Sequence, residues 1–344
     1  MTVAADPQAA PTVVLLAEPG AGRARRLMLA LHGLGVAPAV IEDPESVGAS
    51  DGADDDESDS GGASALDLGA LHEQALDSVS VRADDARPSA WADVAGAAGA
   101  ATEAGISSWL ESQLAATPFP LVADRRLHWL LPAWLRSCQE IGVRVAVILA
   151  VRRPDRSAEA EIGEPARPAV TGGAAWVNQV LHVERATRGL PRVIVTTDEV
   201  AEDWVSATAR IGDALDLAPI RDAAATTIRA TQQALDRAPA TAVEPQEPVA
   251  LPPRLQEQVD GVWQLLTRLA AGEGDDAVQA ELDAARAAFD AYYQEAEWVA
   301  LSSARAARAR RPAQAAPTAA PPADERADAG LKLPWRRRDR ADGS

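Results

Sequence analysis

Residues 119–156, FPLVADRRLHWLLPAWLRSCQEIGVRVAVILAVRRPDR, carry a complete strand–helix–strand pattern. Residues 119–123 are a short apolar run suited to a buried strand. Between 127 and 141 the apolar residues Leu127, Leu130, Leu131, Trp134, Leu135 and Cys138 recur at intervals of three and four, one face of a helix. Gly142 follows, where a helix end wants a residue free to turn left-handed. Residues 144–151, RVAVILAV, are near-continuously apolar and β-branched, as in a parallel strand covered on both faces. That run stops at Arg152-Arg153-Pro154, which places basic residues at a strand's carboxyl end, where open α/β sheets bind ligands.

Working outward, residues 12–17 (TVVLLA) read as another buried strand, followed by Glu18-Pro19-Gly20-Ala21-Gly22-Arg23 and a helix over 24–34. Leu27, Leu31 and Leu34 share one face of that helix, which ends at Gly35. Strand, glycine turn and helix together let backbone N–H groups and a helix N-terminus meet a phosphate. A plain tight turn uses glycine equally well. Further helices are expected over 65–79, 101–114 and 174–188, with a loop over 82–92. A last strand is expected over 192–197, then a helix over 199–215 capped by Asp198. Four buried strands alternating with helices predict an α/β fold: a parallel sheet flanked by helices. Residues 237–253 read as an Ala/Pro/Glu linker, and 255–271 with 275–310 as a C-terminal helical hairpin on the body. The expected organisation is an α/β domain over 1–236, the linker, a helical extension over 254–310 and a disordered tail over 311–344.

Charge and composition narrow the function. The 344-residue chain has a net charge of −18, which argues against sequence-independent nucleic-acid binding. Much of the excess lies in residues 43–62, DPESVGASDGADDDESDSGG, read as a disordered insertion with no spacing that would chelate a metal. Cys138 is the single cysteine and sits on an apolar helix face, offering neither a disulfide nor a metal cluster. With no long apolar span and no signal-peptide pattern, a soluble, cytoplasmic protein is expected. Residues 331–340, LKLPWRRRDR, form a basic stretch read as a solvated end, with contact to anionic lipid as the alternative. Lys332 is the only lysine, so the phosphate-loop lysine of kinases and NTPases is missing.

Five elements, in order, resemble the bacterial sulfotransferases of the P-loop α/β fold that use 3′-phosphoadenosine 5′-phosphosulfate (PAPS). The first strand, turn and helix ending in HGLGV (32–36) resemble the phosphosulfate loop. LHEQAL (71–76) with RADDARPSAWAD (82–93) resembles the segment with a W-D-D-P-type loop. VADRRLHWLLPAW (122–134) is similar to the K-D-P-R-L…L-P-x-W element, and AVILAVRRP (146–154) to the strand ending in R-x-P. VERATRGLPRVIVTTDEVAEDW (183–204) is similar to the E-R-A-T-R-G-x-P-R run.

The resemblance implies PAPS as cofactor and no metal. It puts the 5′-phosphosulfate at the turn with Gly20 and Gly22, where Arg23 and Arg25 either replace the family's hydroxyls as phosphate donors or are solvated helix residues. It gives Arg152 the 3′-phosphate, with an ordinary ion pair at a strand end as the alternative. The acceptor would be a hydroxyl on a small molecule, glycan or lipid. Sulfuryl transfer needs preorganised donors on the phosphosulfate and a base at the acceptor O–H. The sequence departs from the family at those places. Ala21-Gly22-Arg23-Ala24-Arg25 stands where R-S-G-T-S is expected, and Ala123 and Arg125 replace the Lys and Pro of K-D-P-R. No glutamate lies near 61–64, Asp67 being the nearest acid, and Ala160 stands at a serine position. No catalytic base is assigned: His32, His72, His128 and His182 are scattered on expected helices, with His128 placed best because it follows Asp124. Two readings follow, a PAPS-dependent sulfotransferase or a non-catalytic relative acting as a nucleotide- or partner-binding module.

Overall fold

A computed structural model describes residues 11–19, 24–40, 68–154, 169–238, 251–273 and 276–310. In chain order the elements are β1 (Thr12–Ala17), α1 (Arg25–Gly33), β2 (Ala37–Val40), α2 (Leu68–Asp77), α3 (Ala90–Ala97) and α4 (Ala100–Ala116). Next come β3 (Pro120–Ala123), α5 (Leu127–Ile141), β4 (Arg144–Val151), α6 (Ala169–Ala186) and β5 (Arg192–Thr196). The chain continues through α7 (Thr197–Glu202), α8 (Trp204–Leu215), α9 (Ala218–Arg221), α10 (Ala225–Arg237), α11 (Pro253–Ala270) and α12 (Asp276–Arg310).

The five strands form one sheet in the order β2-β3-β1-β4-β5. Every pairing is parallel, with Val14 opposite Leu121 on one side of β1 and Ala146 on the other. Period-2 alternation sends β1 to both faces at once. Val13, Leu15 and Ala17 join the layer of α2 to α6, α11 and the first part of α12, whereas Val14 and Leu16 join the layer of α1, α7, α8 and α10. This double coverage is why β1 and β4 are apolar without interruption. Gly142 adopts φ 78° at the α5 C-cap, where its N–H reaches Cys138 O, the left-handed stop the sequence calls for.

Several expectations are corrected. The stretch 199–215 is two helices, because Asp203 breaks it. Its side chain accepts from Ser206 N as the N-cap of α8, while Thr196, not Asp198, caps α7 through a reciprocal capping box with Glu199. The loop expected over 82–92 ends at Ser89, where α3 begins. Strand β2 and helices α9 and α10 were not foreseen at all. Helix α10 packs along α1 at a glycine: a Cβ on Gly33 would collide with the Thr231 side chain.

The chain divides into two units, Met1–Glu295 and Ala296–Ser344. Within the first, α11 lays Leu255, Val259, Val262 and Leu266 into the core beside α6 and β5. The acidic segment 43–62 and the stretch 311–344 lie outside the described residues.

Candidate functional site

The helix leaving β1 packs on one face of the sheet, while those leaving β3 and β4 pack on the other. The strands flanking β1 therefore send their helices to the face opposite α1, and a ligand crevice is expected outside its carboxyl end. Three short segments meet that edge: Glu18-Pro19 after β1, Asp124-Arg125-Arg126 after β3, and Arg152-Arg153 after β4. Of the residues expected to hold cofactor, Arg25 is the exposed first residue of α1 and Arg152 is half-buried just past β4. Gly20, Gly22 and Arg23 lie outside the described residues.

Glu18 is a residue the sequence reading passed over. Its Oε2 accepts a 2.7 Å hydrogen bond from the backbone N–H of Ala24, the N-cap of α1. Helix α1 has no acidic residue in its first turn and no side-chain cap of its own, so this carboxylate supplies the negative charge its N-terminus favours. A carboxylate following a strand and preceding a glycine turn was the available signal.

After β3, Asp124 is a structural hub. Its Oδ1 accepts from Arg126 N at 2.5 Å and Arg126 Nε at 3.1 Å, and its Oδ2 lies 3.1 Å from His72 Nδ1. Trp134 Nε1 meets His72 Nε2 at 3.1 Å. Indole N–H only donates, so Nε2 is the acceptor and the imidazole proton sits on Nδ1, facing the carboxylate. Burial works to raise the Asp124 carboxyl, but the His72 hydrogen bond and the Arg126 charge outweigh it and hold the group down at about 2. Arg126 also pairs with Glu73 at 3.5 Å. All of Asp124, Arg126, His72 and Trp134 are buried, so Asp124 and Arg126 tie the end of β3 to α2 and α5.

The E-R-A-T-R-G-x-P-R run has a similar explanation. Glu184, fully buried, accepts from Arg188 Nη2 at 2.7 Å and Arg192 Nη2 at 3.0 Å, and its backbone carbonyl accepts from Arg192 Nη1. The Arg188 guanidinium is pushed up, first by its bond to Glu184, and it also pairs with Asp283 of α12 at 2.9 Å. The run locks the end of α6 to β5.

The loop over residues 82–89 is held from below. Ala83 O accepts from Trp129 Nε1 at 3.0 Å and Gln179 Nε2 at 2.8 Å, and Asn178 Nδ2 donates to Arg87 O at 3.2 Å. Trp91 Nε1 donates to Asn178 Oδ1 at 3.3 Å, and its ring lies between Trp129 and His182 at centroid distances of 3.8 and 3.3 Å. His128 sits edge-on to Trp91, 1% exposed, with neither ring nitrogen hydrogen-bonded among the described residues. Burial lowers His128 to about 3, and burial followed by the nearby Arg286 charge lowers His182 likewise to about 3. Both imidazoles are neutral at physiological pH.

Neither His72 nor His128 is accessible to a substrate proton, and His32 is exposed on α1. Arg153 Nη2 is drawn to Asp260 of α11 at 2.5 Å. Among the described residues no group of three or more His, Cys, Asp or Glu is arranged to hold a metal ion. No family model, curated protein or solved structure matches the chain.

Proposed function

We propose that the protein is a non-catalytic relative of the PAPS-dependent sulfotransferases, a module that binds a 3′-phosphorylated adenosine nucleotide at the carboxyl end of its sheet. The observation that carries this reading is the Glu18 carboxylate on the N–H of Ala24. Ala24 stands where the resemblance puts a hydroxyl of the phosphosulfate loop, and a carboxylate in that place repels the phosphosulfate. Among the described residues, His72, His128 and Asp124 are sealed from an acceptor O–H. Arg152, one strand over from Glu18, is the cationic group that the resemblance assigns to the 3′-phosphate.

An active PAPS-dependent sulfotransferase, acting on a hydroxyl of a glycan, lipid or small metabolite, is the second reading. It is favoured by the switch in helix direction around β1, since open α/β sheets bind ligands outside the strand ends at such a switch. In that case Glu18 must release Ala24. The acceptor oxygen then forms a bond to sulfur and gives its proton to solvent, as the bond from sulfur to the 5′-phosphate oxygen breaks and 3′-phosphoadenosine 5′-phosphate leaves.

Calorimetric titration of the full chain with 3′-phosphoadenosine 5′-phosphate tests the nucleotide site that both readings share. Arg152→Ala is expected to weaken binding about tenfold to a hundredfold, the worth of one charge-assisted contact. Adenosine 5′-phosphate, lacking the 3′-phosphate, should bind more weakly and be indifferent to that change. Glu18→Gln keeps an acceptor for Ala24 N–H but removes the charge, and should tighten the bisphosphate severalfold. No heat at millimolar nucleotide overturns the binding role. Sulfate transfer from labelled PAPS to any acceptor establishes the second reading.

A further inference from the structure

The part of α12 in the second unit presents large apolar side chains to solvent. Trp298 is 63% exposed, Val299 67% and Leu301 49%. Exposed arginines follow at Arg305 and Arg308. Trp298, Leu301 and Arg305 are spaced three and four apart and so share a helix face. With Ser302 they line one shallow concavity. The sequence segregates its charge here: residues 296–344 hold ten basic and six acidic residues, net +4, in a chain whose net charge is −18.

We propose that this face of α12 docks on an anionic lipid surface. Tryptophan and leucine favour the boundary between headgroups and acyl chains, while arginine buries its stem and keeps its guanidinium among phosphates. Basic residues beside such a helix add attraction for anionic lipid. The same chemistry recurs at 331–340, where Leu331, Leu333 and Trp335 are followed by Arg336, Arg337 and Arg338. An exposed tryptophan and leucine beside arginines, in a region of net positive charge, match an apolar boundary beneath anionic headgroups. Among the described residues no helix is long and apolar enough to cross a membrane, so the contact is with the surface. Screening over about 8 Å at physiological salt limits the repulsion from acidic charge elsewhere in the chain.

The test is co-sedimentation of the full chain with vesicles of phosphatidylcholine containing about one third phosphatidylglycerol. Binding is expected there, at least about tenfold stronger than to phosphatidylcholine alone, and should fall as salt is raised. Arg305→Gln with Arg308→Gln should lower partitioning about tenfold, and Trp298→Ser with Leu301→Ser should lower it further. Trp298→Tyr, which keeps an interfacial aromatic, should retain it. These side chains are exposed, so an unchanged far-ultraviolet circular dichroism spectrum confirms that each variant is folded. Equal binding to neutral vesicles, or an arginine variant that binds like the parent, overturns the proposal. Retention on a short RNA through the same arginines, with vesicles ignored, overturns it in favour of nucleic acid.

Discussion

Lowering the pH from 7 to 5 is expected to reduce the unfolding free energy by about 3 kcal/mol, well above the range in which carboxylates titrate. His128 and His182 are both held at about 3 in the fold against 6.5 for a free imidazole. Between those values the unfolded chain binds a proton at each site and the folded chain does not. Stability is therefore fully present above pH 6.5 and falls as pH drops toward 3, at about 1.4 kcal/mol per pH unit for each histidine. Two sites over this interval give somewhat under 4 kcal/mol, and His182 contributes less than its share because it keeps some solvent contact. Asp124, held at about 2, adds a further loss only below pH 4. Asp290, raised by burial, acts with the opposite sign. Urea unfolding at pH 7, 6 and 5 measures the slope. His128→Leu, of similar volume, should remove roughly half of it and leave stability at pH 7 equal or higher, since two unsatisfied ring nitrogens disappear. A urea midpoint that does not move between pH 7 and 5 would show that these imidazoles take up protons in the fold.

What could be read from sequence was what is encoded locally. The strand–helix–strand unit is found with α5 and β4 at the expected bounds, because a long apolar run and a clean three–four periodicity each allow one structure. Strand β2 has four residues, one of them Pro38, and pairs only with β3 at the sheet edge, where a missing N–H is tolerated. So short a run gives no periodic signal. Helix α10, ATTIRATQQALDR, buries only Thr231 and Leu235, so its stripe is thin and partly polar, and it packs where Gly33 leaves a gap in α1. The edge of the sheet where a ligand would sit was legible because strand ends can be counted. The role of each polar residue there was not. Glu18 and Ala24 are six residues apart, and His72 lies fifty-two residues from Asp124, so only the folded chain shows their hydrogen bonds.

That distinction between residues holding the fold and residues facing a ligand gives the second large effect. Asp124→Ala is expected to cost about 3–5 kcal/mol at neutral pH, because it leaves the Arg126 guanidinium and the His72 N–H buried without their main acceptor. The depression of Asp124 from 3.8 to about 2 accounts for only about 2 kcal/mol of this; the remainder is the cost of the partners left behind. Arg152→Ala, at the next but one strand end, should cost less stability than Asp124→Ala while weakening nucleotide binding. Asp124→Asn is the sharper probe. An amide offers one acceptor and one donor group, yet both Arg126 and His72 present donors to it, and His72 cannot change tautomer while Trp134 donates to its Nε2. One face of the amide must oppose a donor, at a cost of about 1–3 kcal/mol. Trp134→Phe removes the constraint, letting the imidazole proton move to Nε2 and Nδ1 accept from the amide. The double variant should therefore be more stable than the sum of the single effects predicts, by about 1 kcal/mol in a double-mutant cycle of urea unfolding. Strict additivity would mean that Trp134 does not fix the tautomer, and that the carboxylate alone holds the end of β3.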